Sequence, residues 1–174
     1  MLKHALFAAA GLMTVGCAYP SEAQEGPSDM QIAHIAYTAG NIDIRYAHLA
    51  LAKSHNAEVR EFAELMLRDH TAVNEQALAL LNRLGATPLD NPTSQQLMSG
   101  AEAKIAELSA LSGAAFDKAY AANELAYHGF VNETVEQTFI PAVDNREFKD
   151  LLGQALDVFQ AHESHAAMMV AGLK

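Results

Sequence analysis

The 174 residues carry a formal charge of −10, 51% apolar side chains and only five prolines. Such a composition excludes a disordered chain and a phosphate-backbone partner, because nucleic-acid binding needs a basic footprint. Ala and Leu dominate and tryptophan is absent, which suits helices, and the length suits one domain with a sizeable core.

Residues 1–23 read as a targeting segment, with Lys3 as a short basic region and ALFAAAGLMTV (5–15) as its apolar stretch. That stretch is too short to span a bilayer. The chain's only cysteine, Cys17, follows it in TVGC, close to a bacterial lipobox, and is the candidate lipidation site. Ordinary cleavage after Ala18 or Ala23 is the alternative. Either route predicts an exported protein of the periplasm, and only the lipidated form would touch membrane, through a lipid anchor on the outer membrane. No cysteine is left for a disulfide, so packing or a metal must hold the fold.

A polar linker (24–28) leads into the expected domain, residues 29–174. Ser28 and Gln31 form a capping box for a first helix to about Ser54, with Ile32, Ile35, Ala39, Ile42, Tyr46, Leu49 and Ala50 on one stripe. Asn56 caps a second helix, whose stripe is Val59, Phe62, Met66, Val73, Ala77, Leu80 and Leu84, and Gly85 stops it. After the turn-rich GATPLDNPT (85–93), residues 94–111 read as a shorter helix. A third long helix is expected from about Ala114 to Ile140, with Phe116, Tyr120, Tyr127, Val131 and Thr138 together and Pro141 ending it. Asp144 and Glu147 suggest a second capping box for the last helix, which turns Phe148, Leu152, Ala155, Phe159, Ala166, Met169 and Leu173 inward. The expected fold is all-α. It is a ferritin-like up-down-down-up four-helix bundle, because the shorter helix makes a crossover long enough to run the length of the bundle.

Each long helix then aims a polar group at the core. At 100° per residue, His70 lies about 20° from Val59, Asp43 about 20° from Ile32 and His162 about 40° from Phe148, with Asp69 at the edge of its stripe. His128 sits at the border of the third stripe, with Glu124 one turn away on the more buried side. These groups lie at similar depth and would be costly to bury unpaired, so a shared divalent cation would satisfy them together. A metal-free network, with Asp43 and Asp69 each pairing one histidine, is the competing arrangement. His34, His48 and His55 fall outward or in a turn, and His165 borders the last stripe. No Gly-rich phosphate loop or catalytic triad is visible, and the Glu-x-x-His pair of di-iron bundles is missing.

VREFAELMLRDHTAVNEQ (59–76), SGAAFDKAYAANELAYH (112–128) and the arrangement ending at His162 resemble the domain of unknown function 4142 family over about residues 29–173. The resemblance implies an exported protein with a ferritin-like fold. It matches the family's DH motif to Asp69 and His70, its FD..Y motif to Phe116, Asp117 and Tyr120, and its later histidines to His128 and His162. The acidic position of the first helix is Glu in the family and Asp43 here. The position before His128 is often Asp there and is Tyr127 here, against a carboxylate-rich site.

Three functions follow as expectations. The first is a metal-handling or envelope-stress protein that binds a transition metal through His70, His128, His162 and Asp43 or Asp69. Zinc or copper(II) suits such a His-rich set better than iron. The second is a structural or interaction protein of the envelope with a metal-free polar core. The third is an iron or manganese redox enzyme, disfavoured by the missing di-iron pair.

Overall fold

A computed structural model describes residues 26–173, and all the regular structure in them is helical. The long helices are α1 (Asp29–Lys53), α2 (Ala57–Leu84), α4 (Gly113–Thr134) and α5 (Arg146–Gly172), with the shorter α3 (Pro92–Ser109) between the two pairs. None of them is long and apolar enough to cross a membrane.

Local chemistry sets the ends. Ser28 and Gln31 form the expected capping box, and Asn56 accepts from the Val59 amide. Gly85 takes φ 62°, a left-handed conformation that ends α2 at little steric cost for glycine. The last helix departs from expectation. Asn145, not Asp144, is its cap and accepts from the Phe148 amide at 3.0 Å, while Glu147 pairs with Arg83 instead. The amides of Asp144 and Asn145 donate to the Asp29 carboxylate, which ties this turn to the start of α1.

Side-chain pairs fix the directions. His34 meets Ser94, Arg45 meets Glu102 and Lys53 meets the Ser109 carbonyl, so α3 runs alongside α1 in the same direction. The Ser54 hydroxyl, in the turn before α2, donates to Asp117 of α4 at 2.5 Å. Consequently α2 and α4 set out from the same end. His34, expected on the outer face, is half-buried under α3, because the crossover covers that side of α1. His48 and His55 are exposed.

α4 does not stop at Pro141. A π-helical turn, Val135–Phe139, follows it, and a last turn, Ile140–Ala142, carries the proline. Proline lacks an amide and its ring crowds the carbonyl four residues back, which a widened turn relieves. The extra residue also shifts the phase: Val135 and Phe139 are buried and Thr138, expected inward, is exposed.

Two apolar clusters form. One gathers Tyr46, Val59, Phe62, Met66, Phe116, Tyr120 and Met169; the other gathers Ile32, Leu80, Leu81, Val135, Phe139, Phe148 and Leu152. Along each long helix, the polar core residues lie between the two.

Candidate metal centre

α1 delivers Asp43, α2 delivers His70, α4 delivers Glu124 and His128, and α5 delivers His162; all five are buried. The three imidazoles form one group, and Asp43, Glu124 and His128 form a second. In each, one donor atom per residue lies within 4.8 Å of the others, and His128 belongs to both. Donors sharing one ion with bonds of about 2 Å lie up to about 4 Å apart, a span that Asp43 Oδ2 meets with both His70 Nε2 and His128 Nε2.

Fixed outer contacts decide which atoms face inward. His128 Nδ1 lies 3.0 Å from the Glu124 carbonyl, which leaves Nε2 free. His162 Nε2 lies 3.0 Å from Asp69 Oδ2, and Arg68 grips that same carboxylate from outside. This leaves His162 Nδ1 toward the interior. The His70 ring stacks on Phe159, centroids 4.5 Å apart and planes 7° apart. A carboxylate or carbonyl behind each ligand ring is the usual way to fix its tautomer and orientation.

The inner atoms are poorly satisfied. Asp43 Oδ2 lies 2.9 Å from His70 Nε2 and 3.2 Å from His128 Nε2. Neither approach is aligned as a hydrogen bond. Both Asp43 oxygens, both Glu124 oxygens, both His70 nitrogens, His128 Nε2 and His162 Nδ1 are buried without a hydrogen-bond partner. Each such orphan costs about 1–3 kcal/mol, more if charged. A cation among these atoms would satisfy most of them at once, and the residues therefore fit one.

Electrostatics point the same way. Burial would raise the Asp43 carboxyl, but the neighbouring His70 and His128 hold it below its ordinary value. Glu124 is driven well above its ordinary value by burial and by the Asp43 charge, so the two carboxyls cannot readily ionise together without a cation. Burial lowers His128, and it lowers His162 to about 4. Neutral imidazole is the form that binds metal. Burial and Asp43 and Glu124 also push the hydroxyls of Tyr46, to about 12, and Tyr120 upward.

Of the residues singled out from the sequence, Asp43, His70, His128 and His162 come together. Asp69 does not join them; it stands behind His162, half-exposed, held below its ordinary value against burial by Arg68 and His162. Of the two carboxylates, Asp43 is the one that lies in a group with His128. Glu124 belongs to the cluster and was not among the expected ligands. Its signal was Glu-x-x-x-His, one turn before His128 on the buried side. His165 packs edge-on against Phe62 and is outside both groups. Phe116, Asp117 and Tyr120 lie in the apolar cluster and at the Ser54 contact. Cys17 lies outside the described residues.

The chain matches the family described as Domain of unknown function (DUF4142) over residues 17–169 and belongs to it. No curated protein and no solved structure matches it.

Proposed function

We infer that this member of the DUF4142 family is an exported metal-binding protein whose long helices form a ferritin-like four-helix bundle around one buried transition-metal site. Asp43, Glu124, His70, His128 and His162 supply the donors, and Asp69 orients His162. One observation carries the reading: eight buried donor atoms from four helices are without hydrogen-bond partners, on residues that fall into two close groups sharing His128. Zinc or copper(II) remains the favoured ion for three imidazoles. Bound there, it would neutralise Asp43 and Glu124 and serve metal handling or envelope stress.

A second reading, a structural protein of the envelope with a metal-free core, draws support from the short Asp43–His70 and Asp69–His162 distances. Glu124 adds a carboxylate that also suits iron or manganese, the ions of the redox alternative.

Metal analysis of protein taken from the periplasm, followed by zinc and copper titration, separates these. His70→Ala should abolish tight binding and the stabilisation that metal adds, and His48→Ala should not. If His70→Ala binds as tightly as the wild type, the site is elsewhere or absent. Equal destabilisation of the metal-free and metal-treated protein would identify His70 as a hydrogen-bonded core histidine. Export by lipidation is tested separately: Cys17→Ser should abolish palmitate labelling and release the protein from the membrane fraction. An unlabelled wild type would leave ordinary cleavage as the route.

A further inference from the structure

Below the polar layer, toward the π-turn, the helices enclose a cavity of about 330 Å³. Its floor is Asp43, His70 and His128, with Asn74 beside them, and Val135 and Phe139 line its other end. Most other lining residues are apolar; Tyr37, Thr93, Tyr127, Thr134 and Thr138 add hydroxyls, and Asp43 is the only charged one. Small side chains, among them Ala36 and Ala77, line this space. Phe130, at the edge of this lining, is 54% exposed to solvent.

An apolar cavity of about 150 Å³ already stays dry and takes up benzene, so one roughly twice that size suits a chain of about eight carbons. Water is a poor occupant, because it needs two to four polar partners and away from the floor the lining offers only threonine and tyrosine hydroxyls among apolar side chains. The floor also restricts the ligand's polar end. An anionic end would meet the Asp43 charge, and a cationic end would need the carboxylate that already faces two imidazoles. An uncharged hydroxyl or carbonyl can bond to Asn74 or His70 without either conflict.

We propose that this cavity binds a small, uncharged, mainly apolar molecule, with its one polar end at Asn74 and His70 and its tail toward the π-turn. The ligand is distinct from the ion inferred above and does not require it.

Titration calorimetry with octan-1-ol, on protein treated with chelator and on zinc-loaded protein, tests the proposal. Saturable binding is expected in both. Ala77→Leu and Ala36→Leu fill the space, and each should weaken octan-1-ol at least tenfold while leaving zinc affinity unchanged. His48→Ala should leave octan-1-ol affinity within twofold. On the chelator-treated protein, where the Asp43 charge is not neutralised by an ion, octanoate and octylamine should bind more weakly than the alcohol. In the wild type, nuclear Overhauser contacts should link the octanol methyl to Val135 or Leu152, which keeps the test decisive even if a variant misfolds. Absence of binding, unchanged affinity in both cavity-filling variants, or tighter binding of either charged analogue to the chelator-treated protein would overturn the proposal. Zinc binding without octanol binding would defeat it alone, and octanol binding without zinc binding would defeat only the metal reading.

Discussion

The two apolar clusters on either side of the polar layer are built from the same four long helices, yet they pack differently. On the side of the Ser54 turn, Phe62, Met66, Phe116, Tyr120 and Met169 are all fully buried, and the space between the helices is filled. On the side of the π-turn, Val73 and Ala77 point inward but remain half-buried, because they face a cavity. The π-turn belongs to the second region alone, and small side chains such as Ala36 and Ala77 line the cavity there. A filled region holds the helices in register; the other region keeps room inside. The ligand set sits on the boundary between them, backed by rigid packing on one side and reachable space on the other.

The largest test of that contrast is truncation. Phe62→Ala, in the filled region, should cost about 3–5 kcal/mol, whereas Leu152→Ala, beside the cavity, should cost about 2 kcal/mol. Urea denaturation of both variants measures the gap, and equal losses would mean that the second region is no looser. Metal comes next. Zinc at about 100 times its Kd adds about 2.7 kcal/mol, a rise of about 5–10 °C in Tm for a domain of this size. Hydrogen exchange should then slow most in residues 70–77 and 128–139. Slowing confined to the filled region would place the ion elsewhere.

Glu124→Gln sharpens the boundary. Glu124 already keeps its proton well above the ordinary carboxylate range, so the neutral amide should change metal-free stability by less than about 1 kcal/mol. Zinc affinity should fall about tenfold or more, because an amide does not replace a carboxylate donor. A large loss of metal-free stability with zinc affinity intact would make Glu124 a structural group only.

Acid should separate the regions too. His162 titrates near 4 in the folded chain and near 6.5 in the unfolded one. Between those values the unfolded chain binds the proton and the folded chain does not, so metal-free stability should fall as pH drops from about 6.5 to about 4. Asp43, held below 3.8, adds a further loss only under that pH. Glu124 acts with opposite sign: its contribution is present below 4.5 and fades as pH rises through its raised value. Thermal melts across pH 3–8 on Glu124→Gln, which removes the opposing contribution, check the sequence of losses, and a flat profile between 6.5 and 4 in that variant would contradict the burial of His162.

The smallest effect belongs to Gly40. A Cβ there would lie 2.5 Å from Asn74 Oδ1, but that amide can swing toward the cavity. The clash is therefore offset by about 0.8–1.0 kcal/mol of helix propensity, and Gly40→Ala should change stability by less than about 1 kcal/mol. A loss near 3 kcal/mol would show that Asn74 is held in place.

Much of this layout was legible in the sequence. Periodicity and caps located every long helix, and wheel angles together with similar depth carried Asp43, His70, His128 and His162 to one place. What escaped was whatever depended on contacts between helices. Asp69 and Asp43 look equally able to serve as the carboxylate until Arg68 and His162 are seen to hold Asp69 outside. Glu124 could be placed near the core but not beside Asp43. His34 looked solvated because a single helix wheel cannot show that α3 lies over it. Thr138 was misplaced because a constant 100° step cannot anticipate a π-turn.

That π-turn has a consequence for how the chain can change. Within it the Ile140 amide reaches the Val135 carbonyl, five residues back, so the segment holds one residue more than an α-helix of the same span needs. Removing any one residue between 135 and 139 would restore ordinary helical spacing. Downstream residues would then keep their facing, with Phe139 still inward and the Asp144–Asn145 turn still on Asp29. A deletion in an ordinary α-helical stretch rotates everything beyond it by about 100°. Here the widened turn has absorbed an insertion, so this segment can give up one residue where the rest of the helix cannot.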